Sequence, residues 1–319
     1  MTRIGIIGSG WGSRVQAPIF REAGFDVVEI RGREWQRFAD ENVDAVSVVV
    51  PPAHHLEIAQ AALAAGKHVI CEKPTALNVA QAEELAKAAR AHPNQIAIID
   101  HELRFLPSFR AAREQIRDVR YGEVRYSSPA RGDRSREWSW FNDASQGGGV
   151  WGAVGSHFVD AIRYLVGEIE SVEAASFDTI IKERSGRAVT SDDVAAIHLR
   201  LASGAIAMLS LSAVAAGQDE AATITIHGEI GAWRLTGEEL LFAKPKEKYT
   251  RIDGSDLAPR PGNSPGGAFG TGTFHLAQAW LRGELEAAAT FEDGLAQQRV
   301  LDEARTLRGG GRPRPPGRA

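Results

Sequence analysis

The sequence predicts an α/β unit on a doubly wound parallel sheet, followed by an α+β unit on a mostly antiparallel sheet. Three observations carry this. Over roughly the first 100 residues, short Val- and Ile-rich runs alternate with segments of helical period, and no hairpin turn separates them. That is the pattern of a parallel sheet covered on both faces. After about residue 120, strand-like runs follow one another through short glycine-containing turns, as antiparallel strands do. The length, 319 residues, fits two domains at about 150 residues each.

The strand-like runs of the first part are Arg3–Ile7, Asp26–Ile30, 45–50, His68–Cys71 and 95–99. Between them, Val15, Ile19 and Phe20 share one helical face ending near Gly24. Leu56, Ala59 and Leu63 form a second, ending at Gly66, and Val79, Ala82, Leu85, Ala86 and Ala89 a third, ending before Pro93. A doubly wound nucleotide domain normally has a helix and a third strand after its second strand. Here Ile30 is followed by Arg31-Gly32-Arg33, a short helical stretch at 34–39 and then the strand from Ala45, so one βα unit is lacking.

In the second part, Val194–Leu201 and 205–211 are joined by Ala202-Ser203-Gly204, a hairpin signal. Runs at 223–227, 232–235 and 240–242 follow, with Gly228, Gly231 and Gly237 at the turns. Helical patterns at 273–285 and 292–307 close the unit. The Pro- and Gly-rich segment 258–272 is expected to be irregular, and the tail 309–319 disordered. The expected domains are therefore 1–120 and 121–308.

Composition narrows the function. The net charge of −4 supplies no general basic field for nucleic acid. No run approaches the roughly 20 apolar residues of a membrane span, and the apolar run at 4–7 is too short for a signal peptide. The single cysteine, Cys71, excludes an intramolecular disulfide and a cysteine-based zinc cluster. The adjacent His54 and His55 have poor metal-ligand spacing. A cytoplasmic protein with a small-molecule ligand and no metal is expected.

Gly8-Ser9-Gly10-Trp11-Gly12-Ser13 follows the first strand and opens a helix. Gly8 and Gly10 fit the first two positions of a dinucleotide fingerprint, and Ser13 stands at the third. A pyrophosphate would rest on backbone N–H groups at the helix N-terminus. The alternative is a strand-to-helix turn without a ligand. After the second strand an acid would bond a ribose 2′-OH, whereas an arginine accommodates a 2′-phosphate. Arg31 and Arg33 stand there, so the expected cofactor is NAD(P), leaning to NADP.

The segment from Ala62 to Pro74 ends in Glu72-Lys73-Pro74 at the carboxyl end of a strand, where ligands bind in such sheets. It resembles the AGKHVxxEKP signature of the Gfo/Idh/MocA oxidoreductase family. Val49-Val50-Pro51-Pro52-Ala53-His54-His55 resembles the family's turn after its fourth strand. Leu103-Arg104-Phe105-Leu106-Pro107 resembles its RFxP segment. Gly147-Gly148-Gly149-Val150 through Gly155-Ser156-His157-Phe158-Val159-Asp160 resembles its GGG…GxHxxD segment. Weaker similarity continues through Asp192-Asp193 to Thr290-Phe291-Glu292-Asp293-Gly294.

The resemblance implies an N-terminal Rossmann domain and a C-terminal domain with a large open sheet used for self-association, as a homodimer or homotetramer. It implies hydride transfer between NAD(P) and a hydroxyl carbon of a sugar, cyclic polyol or related compound. Lys73 and His157 then become the catalytic lysine and histidine. Pro51, Pro52, His55, Glu72 and Lys73 join the glycine loop in lining the cofactor. Where many family dehydrogenases carry an aspartate four residues before the histidine, this chain has Ala153.

A neutral histidine suits the base that takes the hydroxyl proton. Asp160, three residues on, can share a helical face with His157 and is expected to orient it; pairing with Arg163 or Arg104 is the alternative. Arg104 is expected to bind substrate or cofactor, or else to form a salt bridge. One of Asp100, His101 and Glu102 could fill the role left by Ala153. Trp138, Trp140 and Trp151 could stack on a sugar or fill the core. Two other readings of the site stand beside dehydrogenation: transient oxidation that drives elimination or deglycosylation, and a non-catalytic ligand-binding relative.

Overall fold

A computed structural model describes residues 1–217, 221–252 and 266–308. Strands β1 (Arg3–Ile7), β2 (Asp26–Ile30), β3 (Ala45–Val48), β4 (His68–Cys71) and β5 (Ala97–Ile99) alternate with helices α1 (Ala17–Ala23), α2 (His55–Ala64) and α3 (Val79–Ala91). They form a sheet in the order β5-β4-β3-β1-β2, all parallel. Strands β1, β3 and β4 are buried almost throughout, which is why they read as apolar runs, while the edge strand β2 buries only Ile30 fully.

No strand lies beyond β2, the edge of this sheet among the described residues. The missing βα unit is thus a deletion at the edge. A 3₁₀ segment, Gly32–Ala39, replaces it, with Phe38 buried and stacked on Trp35.

Helix α4 (Pro107–Gln115) leads to β6 (Tyr121–Ser127), and α5 (Ser156–Val166) to β7 (Ile169–Asp178). A two-stranded ribbon, β8 (Glu183–Arg184) and β9 (Arg187–Ala188), precedes β10 (Val194–Leu201), β11 (Ile206–Ser212), β12 (Ala221–His227), β13 (Ala232–Thr236), β14 (Glu239–Ala243) and β15 (Thr250–Arg251). The order β15-β14-β13-β12-β6-β11-β10-β7 is antiparallel except between β6 and β11. Those two parallel neighbours end in register at Ser127 and Ser212, so the loops after both leave from one rim. One face of the sheet packs Ile197, Leu199, Leu209, Leu211 and Val124 against Phe158, Ile162 and Leu301. The other face leaves Glu123, Arg125, Met208 and Ser210 exposed.

The C-terminal segment is not confined to the second unit. Helix α6 (Gly267–Arg282) packs on α1, β16 (Ala289–Thr290) adds an antiparallel strand beside β5, and α7 (Phe291–Arg308) packs on both α3 and β7. A boundary at residue 120 therefore divides neither the helices nor the first sheet cleanly, since β16 returns to that sheet from the far end of the chain. Within the segment expected to be irregular, residues 267–272 are the first turns of α6. Residues 258–265 of that segment and the tail 309–319 lie outside the described residues. Among the described residues, no helix is long and apolar enough to cross a membrane.

Candidate active site

The site is built by two rims that face each other. On the first, β1 runs into the glycine turn. Gly8 has φ +151°, and a Cβ there would stand 2.0 Å from the Val49 carbonyl oxygen, so only glycine lets β1 and β3 close at this point. The Ser13 hydroxyl donates to the Gly8 carbonyl at 3.2 Å and braces the turn. A Cβ on Gly10 would meet nothing within 4 Å, so the backbone there faces open space. That is the cradle a pyrophosphate requires.

A cleft of about 990 Å³ extends from this turn. Gly8, Ser9, Gly10, Trp11, Arg31, Arg33, Pro51 and Pro52 line its first part, and Glu72 and Lys73 its centre. Beyond them stands the second rim: His157 at the start of α5, with Glu102, Ala153, Phe269 and residues following β6. The Lys73–Pro74 peptide is cis. The Lys73 ammonium donates to the Ala153 carbonyl at 3.1 Å, tying the end of β4 to the segment entering α5. At position 153, where the resemblance leads one to look for an aspartate, this chain offers a backbone oxygen.

His157 is 6% exposed, and its Nδ1 stands 3.1 Å from Glu102 Oε1, outside good hydrogen-bond alignment. Its ring lies 4.5 Å from that of Phe269, centroid to centroid. Burial, and then the charge of Lys73, hold its pKa well below 6.5, so the imidazole is neutral at neutral pH. Burial pushes the Glu102 carboxyl up to about 7, partly opposed by Lys73. Glu72 is also pushed up to about 7 by burial. Beneath Glu72, the Gln16 amide donates to Glu72 at 2.9 Å and to Asp100 at 2.7 Å, and Ser47 donates to the Gln16 oxygen at 2.6 Å. Burial raises the pKa of Asp100 far above its usual range, with the charge of Glu72 second.

Four expectations are corrected. Asp160 does not orient His157: both its oxygens accept from Arg104, at 2.8 and 2.6 Å. Three residues along α5 from His157, it points into the core, where it is 1% exposed. Arg104 is not a substrate ligand, since it is held between Asp160 and Asp293 and does not line the cleft. His55 is fully buried, its ring nitrogens at 2.9 Å from the Val50 carbonyl and 3.3 Å from that of Thr75, so it braces the loops rather than facing a cofactor. Gly12 turns inward, where a Cβ would press on Ile6 and Val49.

The structure adds Arg14, Tyr126, Ser128, Arg131, Arg136, Phe141 and Phe269 to the cleft wall. Of the residues after β5, Glu102 is the one that reaches His157. Nothing in the sequence marks the others, because they converge only when the two units pack. Trp140 lines the cleft, whereas Trp151 is buried and Trp138 lies under Arg187. Asp192 accepts the Trp151 N–H, and Asp193 accepts those of Ile180 and Ile181; both shape loops.

Residues 32–100 match the oxidoreductase family described as having an NAD-binding Rossmann fold. Residues 109–234 match the Gfo/Idh/MocA C-terminal domain. The chain belongs to the Gfo/Idh/MocA oxidoreductase family. An uncharacterized oxidoreductase of Synechocystis sp. is 33% identical over 214 residues, which span 63% of this chain and 57% of that protein. Glucose-fructose oxidoreductase domain-containing protein 2 of Xenopus tropicalis is 28% identical over 94% of this chain and 89% of its own. Levoglucosan dehydrogenase, solved with NADH and levoglucosan, superposes with a TM-score of 0.84 at 23% identity, covering 97% of each chain. That likeness shows the fold of this Gfo/Idh/MocA member: a Rossmann-type sheet joined to a mostly antiparallel one.

Proposed function

We propose that this family oxidoreductase moves a hydride between NAD(P) and a hydroxyl-bearing carbon of a sugar, cyclic polyol or related compound. The observation that carries the reading is the convergence of Lys73 and His157 on one cleft that begins at the glycine turn. Levoglucosan dehydrogenase, of the same fold, is named for a sugar derivative and was solved with one.

A bound nicotinamide would supply the hydride acceptor or donor. Gly8, Ser9, Gly10 and Trp11 would hold the pyrophosphate, and Pro51, Pro52, Glu72 and Lys73 the middle of the cofactor. In the oxidative direction, His157 Nε2 takes the hydroxyl proton while Nδ1 faces Glu102. An ionised Glu102 favours the imidazolium that results, the task expected of Asp160 from the sequence. Lys73, kept in place by the Ala153 carbonyl, donates to the same substrate oxygen and stabilises the charge developing on it. Arg31 and Arg33, 67% and 75% exposed at the carboxyl end of β2, favour a 2′-phosphate and hence NADP.

The uncovered face of the second sheet, with Met208 half exposed among polar neighbours, serves self-association as a homodimer or homotetramer. Light scattering at micromolar concentration should show a multiple of the chain mass; a monomer refutes this part.

Titration of the purified protein with NADH and NADPH, followed by cofactor fluorescence, tests the reading. Binding of at least one at micromolar concentration is expected. Absence of both at millimolar concentration overturns it.

A further inference from the structure

The second rim carries charge that the proposed hydride transfer leaves unused. Arg131 and Arg136 both line the cleft, on the loop that leaves β6. The Arg131 guanidinium carbon lies over the Phe141 ring, 3.9 Å from its centroid. A third arginine, Arg184, is 3% exposed and fixes this loop from behind by donating to the carbonyls of Arg131, Asp133 and Arg136. The loop is therefore held by one cation while it presents two more to the cleft.

Among the described residues, neither guanidinium has a carboxylate within 4 Å. The nearby acids are engaged elsewhere. Asp193 accepts the N–H groups of Ile180 and Ile181, and Asp133 accepts from the Ser135 N–H and hydroxyl. Burial lowers the Arg131 pKa to about 10, with Arg136 and Arg184 adding to the effect. Two cations that no described carboxylate pairs converge on one cleft of a chain whose net charge is −4. Low-dielectric walls concentrate such a field, and a guanidinium pair matches carboxylate and phosphate oxygens geometrically.

The cluster stands at the substrate end. Tyr126 packs its ring on Phe158, the residue after His157, and lies close enough to act on the charge of Arg131. The glycine turn, with Arg14, Arg31 and Arg33, belongs to the opposite rim.

We propose that the substrate is an anionic hydroxy compound, whose carboxylate or phosphate ester Arg131 and Arg136 hold while its carbinol lies at Lys73 and His157. This rests on the hydride-transfer reading above. A neutral sugar would leave both guanidinium groups without an anionic partner among the described residues.

The test is titration of the NADH-loaded protein at constant ionic strength with D-gluconate, D-glucuronate, glucose 6-phosphate and D-glucose, read by cofactor fluorescence. At least one anionic compound should bind tenfold or more tightly than glucose; the carboxylate and phosphate arms show which anion is preferred. Arg136→Gln, at an exposed position that the fold does not need, should cut that preference at least threefold, and Arg131→Gln should abolish it. Affinity for NADH should stay within twofold in both variants. Equal or tighter binding of glucose overturns the proposal, as does failure of every anionic compound to bind. Loss of NADH affinity in the variants would assign the arginines to the cofactor instead. Failure of the wild-type protein to bind either NADH or NADPH is the separate result that removes the hydride-transfer reading; if only NADPH binds, the same titration is run on the NADPH-loaded protein.

Discussion

His157 Nδ1 stands 3.1 Å from Glu102 Oε1, across the junction of the two units. The carboxylate beside the candidate base thus comes from the turn after β5, not from α5, and not from position 153. A carboxylate that burial lifts to about 7 changes charge within the working pH range.

Glu102→Gln should therefore lower turnover in the oxidative direction about tenfold or more. The wild-type rate should rise as pH increases through about 7, and the variant should lack that rise. A pH–rate profile checks both. Persistence of that rise in the variant would assign it to Glu72, which burial also lifts to about 7.

Arg104 and Asp160 form a buried ion pair. Burial opposes the Arg104 charge, but Asp160 and Asp293 outweigh it and raise its pKa further. Arg104→Met should strand Asp160 and cost on the order of 3 kcal/mol of stability. Thermal unfolding should show the loss while the KM of active protein stays near wild type. A raised KM at unchanged stability would make Arg104 a substrate ligand after all.

Much of the fold is legible in the residues for a physical reason. Strands β1, β3 and β4 are buried on both faces, so Ile4, Ile6, Ile7, Val46, Val48, Val69 and Ile70 make apolar runs. Strand β7 escapes notice because Glu170, Glu173 and Ser176 interrupt it along an uncovered face. The start of α6 reads as loop because its first turns are rich in glycine; packing against the first unit overrides that weak propensity. In the site, Lys73 and His157 are marked by short motifs. Glu102, Arg131 and Phe269 come from separate elements and meet only through packing between the units. Asp160 and Arg104 sit in recognisable motifs, yet those motifs do not reveal which way the side chains turn.

The buried carboxyls make stability depend on pH. Glu72 and Glu102 have ordinary values near 4.5 and are lifted to about 7 by burial. The folded state therefore binds more protons than the unfolded chain between these values. Their contribution is full below pH 4.5 and is lost as pH rises through about 7. Unfolding temperatures from pH 5 to 9 should fall across this window, and Glu72→Gln should flatten the fall. A steeper fall in the variant would contradict the assignment.

Arg33→Ala should weaken NADPH binding about tenfold or more, since a charge-assisted contact to phosphate is worth roughly 1.5–3 kcal/mol. NADH binding should barely change. Equal weakening of both cofactors would mean that Arg33 supports the 3₁₀ segment after β2 rather than the 2′-phosphate.

The central claim is that Lys73 and His157 serve one substrate oxygen. Turnover of Lys73→Met, His157→Ala and the double variant, each saturated with cofactor, tests it most directly. Lys73→Met should cost about 10²–10³ in rate and His157→Ala about 10²–10⁴. The double variant should be little slower than the slower single one, because groups acting on the same transition state do not lose activity additively. Cofactor affinity should survive the His157 change. Near-wild-type turnover in both single variants, or losses that multiply in the double variant, would contradict the account.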